Sequence, residues 1–124
     1  MAGGLTISTL NDSSGVLATQ NGMSGICKAW VNFAGTTGSI RASFNVGSIT
    51  RNSTGDYTVN FTTALPDANY GVVVGISNDA GGAALLPLTQ VNATPTTTAM
   101  RFVTVTRSAG ANSDPTYVNI AINR

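Results

Sequence analysis

Hydrophobic and polar residues alternate in short runs along this chain, beginning at Lys28. The alternation is clearest in Lys28–Phe33, Ile40–Val46 and Tyr57–Phe61. Because successive side chains of a β-strand point to opposite faces, each run predicts a strand with one buried and one solvated face. The residues expected on the buried faces are Ala29, Val31, Phe33, Ile40, Ala42, Phe44, Val46, Tyr57, Val59 and Phe61.

The second half of the chain continues the pattern. Further strands are predicted at Tyr70–Ile76, Leu85–Val91, Met100–Arg107 and Tyr117–Asn123, separated by turn-forming residues. Pro87 lacks a backbone N–H, which favours a sheet edge for its strand. No helical period extends over a useful length. The pattern predicts an all-β domain over residues 28–124, an antiparallel, jelly-roll-like β-sandwich of about seven or eight strands.

Residues 1–27 have a different composition. They are mostly small and polar, and Leu5, Ile7 and Leu10 are the apolar residues near their start. A segment with so little apolar surface cannot bury a core of its own. We therefore predict an extended N-terminal arm over residues 1–27, with Leu5, Ile7 and Leu10 making attachment or oligomer contacts.

The composition narrows the choice of partners. Charged residues make up 9% of the 124 residues, against roughly 25% in a typical soluble domain. Hydroxyl and amide groups supply the polarity instead, which suits a protein packed against copies of itself. The net charge is +1 and the arginines are scattered along the sequence, so the sequence predicts no basic patch for binding nucleic acid. No apolar run approaches membrane-spanning length, and the N-terminus lacks the pattern of a signal peptide.

Residues that carry out chemistry are scarce. The chain has no histidine, its five carboxylates are dispersed aspartates, and its single cysteine, Cys27, cannot form an internal disulfide. This composition offers no nucleophile–histidine pair, no histidine metal ligand and no obvious carboxylate couple for glycoside cleavage. We expect no catalytic residue, no metal site and no cofactor, and hence a protein that is not an enzyme.

The candidate sites are therefore contact surfaces. Trp30 falls on the face opposite Val31 and Phe33, where it either faces solvent, as a sugar-stacking side chain would, or packs between subunits; a subunit contact is favoured. Loops on a rigid sandwich are suited to recognition. The candidate recognition residues in two such loops are Asn78, Asp79, Asn112 and Asp114.

A series of short sequence motifs in fixed order resembles a known protein family. KAWVNF, IRASFNVGSIT, TGDYTVNFTT and PDANY lie between Lys28 and Tyr70, and TYVNIAI follows near the end of the chain. The series resembles small bacteriophage structural proteins and the ends of phage tail fibres, and the opening MAGGLTISTLNDSSG resembles the start of the standalone versions. The resemblance implies a β-rich domain that trimerises. It carries over no catalytic or binding residue.

Two functions are compatible with these patterns. In the first, the chain is a non-enzymatic virion protein of the tail-fibre type, a homotrimeric knob attached by its arm to tail or baseplate proteins, with loops that contact a glycan or protein of the host surface. In the second, it is a capsid decoration, or cement, protein bound to the major capsid protein. In both cases it is made in the host cytoplasm and located in the virion. The sequence motifs shared with the family favour the first function, whereas the short chain and the low fraction of charged residues favour the second.

Overall fold

The computed structural model describes residue 3, residues 26–89 and residues 93–124. The predicted arm, including Leu5, Ile7 and Leu10, lies outside the described residues except at its edges. Within them the chain forms eight β-strands and no helix. The strands are β1 Cys27–Phe33, β2 Ile40–Phe44, β3 Val46–Ser53, β4 Asp56–Phe61, β5 Gly71–Ile76, β6 Leu85–Thr89, β7 Ala99–Thr106 and β8 Val118–Asn123.

The strands form two antiparallel sheets of four. Sheet A has the order β2-β1-β8-β5, and sheet B has the order β3-β4-β7-β6. The β1–β2, β3–β4 and β6–β7 connections stay within one sheet, and the other four cross between the sheets. The predicted antiparallel β-sandwich is confirmed.

The core lies between the sheets and is built from the alternating positions. Val31, Ile120 and Val74 stand in one row of sheet A on neighbouring strands. Opposite them, the rings of Tyr57 and Phe102 in sheet B lie with centroids 5.3 Å apart. Phe33 packs edge-on against Tyr57 at 5.4 Å, which joins the two sheets. Aromatic rings in such edge-on contacts bury much apolar surface with favourable electrostatics.

The chain leaves sheet A for sheet B at Asn45. This residue has a φ of 54°, in the left-handed region that asparagine tolerates better than most residues. Its amide nitrogen donates to the carbonyl oxygens of Lys28 and Thr63, each at 3.1 Å, and its amide oxygen accepts from the Thr63 N–H at 2.7 Å. The side chain thus fixes the corner between β2 and β3.

This corner corrects the prediction of one strand over Ile40–Val46. A register shift opposite Asn32 and Phe33 interrupts the alternation, so Phe44 is exposed on the outer face of sheet A. Val46 is buried, but in sheet B. Ala42 is exposed on the same outer face as Phe44. The predicted common buried face of Ala42, Phe44 and Val46 was wrong, because a bulge and a corner lie within the run.

The two sides of the sandwich differ. The β2–β3 side is closed by the continuous chain, whereas the edge strands β5 and β6 lie on the other side. An apolar cavity of about 170 Å³ opens there, lined by Val72, Val74, Pro87, Leu88, Met100 and Phe102. Pro87 stands in the edge strand β6, as predicted.

The two ends of the sandwich also differ. Loops 34–39, 54–55, 77–84 and 107–117 meet at one end, which we call the loop end. The β2–β3 corner, the start of β1 and the C-terminus lie at the opposite end, where the Arg124 N–H donates to the Ile26 carbonyl. Ile26, where the continuous described segment begins, therefore lies at the end of the sandwich opposite to the loop end.

Candidate functional site

An exposed apolar row crosses the outer face of sheet A. The backbone register aligns Phe44, Trp30, Ala121 and Val73 on four neighbouring strands. Trp30 and Phe44 are each 41% exposed, and Val73 is 65% exposed. Trp30 thus lies on the solvent side of its strand, as the alternation of β1 indicated. Large apolar side chains aligned in this way are typical of a contact surface.

The next row of the same face is polar and flat. It contains Ala42, Asn32, Asn119 and Gly75 in register. The Asn32 amide donates to the amide oxygen of Asn119, so the two side chains hold each other against the sheet. A shallow depression of about 350 Å³ lies on this face, and the residues of the two rows that line it are Trp30, Asn32, Val73, Gly75, Asn119 and Ala121. We call these two rows together the Trp30 face.

Arg41 places a positive charge on this side of sheet A, near the loop end. The Arg41 guanidinium stacks over the Tyr117 ring, 4.4 Å from its centroid, and donates to the Thr116 carbonyl at 3.2 Å. Such stacking satisfies a cation while keeping the aromatic ring exposed. Arg41 also donates to the amide oxygen of Asn32 at 3.5 Å, so its charge borders the polar row, whereas the apolar row contains no charged residue.

At the loop end, the two predicted recognition loops come together. The Asp79 carboxylate accepts from the Ser113 hydroxyl at 2.8 Å and from the Ala83 N–H at 2.8 Å. Asp79 also forms a β-bridge with Pro115. Asn78 and Asn112 are exposed at the same end. The two loops that carry the four predicted residues thus contact each other, through Asp79 with Ser113 and Pro115 and through the Asn78 carbonyl, which accepts from the Thr116 N–H at 3.2 Å.

Asp114 points into the sandwich. Its carboxylate accepts from the Tyr57 hydroxyl at 2.5 Å, the Gly55 N–H at 2.7 Å and the Arg51 guanidinium at 2.5 Å. Burial opposes ionisation of Asp114, but these hydrogen bonds hold its pKa below the ordinary value. Burial, followed by the hydrogen bond to Asp114, raises the pKa of Tyr57, so this hydroxyl remains a donor. Through these contacts Asp114 holds the loop 107–117 against β3, β4 and the turn between them.

Three further aspartates are held ionised by hydrogen bonds. Arg101 lowers the pKa of Asp56, Arg124 lowers that of Asp67, and the Ser113 hydroxyl lowers that of Asp79. Each carboxylate therefore contributes stability that is present above about pH 4 and is lost as the pH falls through its lowered folded-state pKa.

We predict a flat stability profile at neutral pH and a decline in acid. Because the chain has no histidine, no such side chain titrates between about pH 5 and 8, and the melting temperature should be constant there. It should fall below about pH 4 as the four aspartates become protonated. Thermal unfolding followed by circular dichroism tests this, and a melting temperature that falls between pH 8 and pH 5 would contradict it.

The sequence prediction placed Ala42 and Phe44 of the Trp30 face on a buried face and did not identify Val73. Val73 carried no prediction because the two glycines of β5 suggested a bare face. The signal for Val73 was its position between Val72 and Val74, which the register places opposite buried Ile122 and Ile120. Leu5, Ile7 and Leu10 cannot be placed against this face, since they lie outside the described residues.

No group of three or more metal-ligating side chains occurs within the described part of the chain. None of its described segments is a helix long and apolar enough to cross a bilayer.

Comparisons with known proteins give one structural likeness. No family model and no curated protein matches the sequence. The fold is similar to part of the phiAB6 tailspike, solved in complex with three-repeated oligosaccharides of the Acinetobacter baumannii surface polysaccharide, with a TM-score of 0.50 and 18% identity. The match covers 76% of this chain and 19% of the tailspike chain. At this identity the likeness concerns the fold, and the chain spans about a fifth of the tailspike's length.

Proposed function

We propose that this chain is a non-enzymatic structural protein of a bacteriophage virion, a tail-fibre-like knob formed by three copies. The observation that carries the proposal is the exposed, uncharged row of Phe44, Trp30, Ala121 and Val73 on the outer face of sheet A. Apolar rows of this kind are suited to burial between subunits. The motif series between Lys28 and Tyr70 and the fold shared with part of a phage tailspike support a tail component.

The two ends of the sandwich suit different tasks. β1 begins at Cys27, at the end opposite to the loop end, and the predicted arm that leads into it can attach the domain to tail or baseplate proteins. The loops that carry Asn78 and Asn112 lie at the other end, where they can contact the host surface. The tailspike with the similar fold was solved with a bacterial surface oligosaccharide, and this supports a glycan as one class of host ligand.

The aspartates support a structural role over a catalytic one. Asp56, Asp67 and Asp114 each pair with an arginine, at 2.5 to 2.6 Å. A general acid would need a raised pKa, whereas these groups have lowered ones. Their contacts tie loops and chain ends to the sandwich, so we assign them to stability.

Capsid decoration is the second candidate function. It is favoured by the low fraction of charged residues, 9% of the chain. Copies of a protein that is repeated many times over a shell repel each other less when they carry few charges. In that case the trimer would clamp neighbouring units of the major capsid protein. The two functions predict different copy numbers in the particle.

Quantitative mass spectrometry of gradient-purified particles tests the proposal. We expect this chain in the virion at a few dozen copies or fewer, counted against the major capsid protein. A copy number in the hundreds would contradict the tail function and support capsid decoration. Its absence from particles that retain infectivity would contradict both functions. A particle protein of the same tail counted in the same sample serves as the internal control.

A further inference from the structure

The four edge strands of the sandwich are not equally protected against pairing. In sheet B, β6 carries Pro87, which has no N–H to donate, and β3 has register shifts near both of its ends. Proline and bulges are the devices by which proteins prevent a sheet edge from adding another strand. The edges of sheet B are therefore blocked.

The edges of sheet A are less protected, although Arg41 gives β2 one charged residue. β5 has the sequence GVVVGI, with no proline, no charge and, in its pairing with β8, no register shift. β2 carries one register shift near its start, after which Ala42, Ser43 and Phe44 continue in regular register. All but the first residue of β2 are exposed. An uncharged, regular edge such as β5 is a template for another strand.

We propose that the β5 edge of one copy pairs with the β2 edge of the next copy, so that sheet A continues from subunit to subunit around the trimer. This inference rests on the trimer of the proposed function and specifies how its subunits meet. It commits to a second copy of this chain as the partner of both edges.

Strand direction supports this pairing. β1 is antiparallel to both β2 and β8, and β5 is antiparallel to β8. β5 and β2 thus run in opposite directions within one chain. Rotation about a three-fold axis along the strands preserves direction, so β5 meets the neighbour's β2 as an antiparallel pair. Such a head-to-tail contact closes into a ring when the rotation fits.

The side chains support it as well. Phe44 and Val73 are the two ends of the apolar row, on β2 and β5 respectively. Pairing β5 with the next β2 brings Val73 of one copy toward Phe44 of another, so the row continues across the contact. Sheet B covers the inner face of sheet A, and the Trp30 face must then turn toward the axis. One arrangement thereby buries the two edges of sheet A and the exposed Trp30.

Engineered disulfides test the contact in the full-length chain. With Cys27→Ser as background, Phe44→Cys and Val73→Cys are combined in one chain and oxidised. Within a subunit these positions are three strand spacings apart, about 14 Å, which is too far for a disulfide. Any bond between them is therefore intermolecular. We expect most of the protein to run as a covalent trimer on non-reducing denaturing gels.

The matched control uses the opposite edges of sheet B. Ser53 and Leu88 also end one row, through Asp56 and Val103, so Ser53→Cys with Leu88→Cys tests the same spacing on the blocked edges. This pair should run as a single chain. Covalent dimers alone, or a ladder beyond the trimer, would overturn the ring arrangement for Phe44 and Val73.

Light scattering on the same samples separates the two levels of the proposal. A trimer without covalent product would overturn the β5–β2 contact and leave the trimer standing. A monomer would overturn the trimer itself. If the cysteine variants do not fold, hydrogen exchange on the unmodified protein decides: β5 and β2 should be protected to a degree similar to β8, and rapid exchange at both edges in a trimeric sample would contradict the contact.

Discussion

Replacing Trp30 by serine is expected to convert the trimer into monomers at micromolar concentration without unfolding the domain. Trp30 is 41% exposed on the outer face of sheet A, so the sandwich core does not depend on it. Tryptophan at the centre of an interface commonly contributes about 2 kcal/mol or more to binding. Since each subunit loses this contact, the effect is repeated at every interface. Light scattering measures the mass, and circular dichroism verifies the fold.

Two control variants sharpen the Trp30 result. Trp30→Phe keeps an aromatic ring and should retain the trimer or weaken it slightly. Leu86→Ser removes an apolar side chain that is 46% exposed on an edge strand of sheet B, and it should leave the mass unchanged. If Leu86→Ser dissociates the protein while Trp30→Ser does not, the subunit contact lies on sheet B. Because Trp30 is the single tryptophan, its emission in the unmodified protein should shift to shorter wavelength on assembly.

Replacing Asp114 by alanine is expected to give the largest loss of folding stability, about 3 kcal/mol. The substitution removes the acceptor of the Tyr57 hydroxyl, the Gly55 N–H and the Arg51 guanidinium together. Tyr57 is fully buried, so its hydroxyl loses its carboxylate acceptor at a position that solvent does not reach. Denaturant unfolding measures the change. A stabilising interaction of this size is a large part of the total for a domain of this length.

Asp67→Ala is the matched control for Asp114→Ala. Asp67 also pairs with an arginine, Arg124, but its side chain is 34% exposed, against 14% for Asp114. Exposed ion pairs contribute little because water screens them. The loss should therefore be much smaller for Asp67 than for Asp114. Equal losses for the two variants would show that the loop end does not depend on the buried contacts of Asp114.

Much of the fold followed from local pattern, because a strand with one buried face has a period of two. The alternation correctly placed Val74 and Ile76 of β5 against the core, whereas Val72 of the same face is 36% exposed. β3 escaped prediction because its glycine, serine and asparagine residues are typical of turns. Its pairing with β4 makes it a strand, and a tertiary contact of this kind leaves no signal in local composition.

Which face of a strand is buried was harder to predict than where the strand lies in the sequence. Lys28 was placed beside Trp30 on the solvated face, but it is fully buried next to a register shift between Cys27 and Ala29. Phe44 was misplaced by a second shift within the β1–β2 pairing. One extra residue reverses every side chain that follows, and a bulge is set by the partner strand rather than by the sequence of the strand itself.

The loop residues show the same limit. Asp114 and Asp79 were recognised as loop residues, which their positions confirm. Their partners could not be read locally, since Tyr57 precedes Asp114 by 57 residues and Ser113 follows Asp79 by 34. An aspartate in a glycine-rich loop has the same sequence signature whether it binds a ligand or fastens the loop. Their recognition role, like that of Asn78 and Asn112, stays a prediction.

The central claim is that the Trp30 face is a subunit contact and that the working unit is a trimer. The mass of the unmodified protein in solution, measured by light scattering across a range of concentrations, tests this claim most directly. We predict a stable species of three times the 12.6 kDa chain. A stable monomer at all concentrations would contradict it.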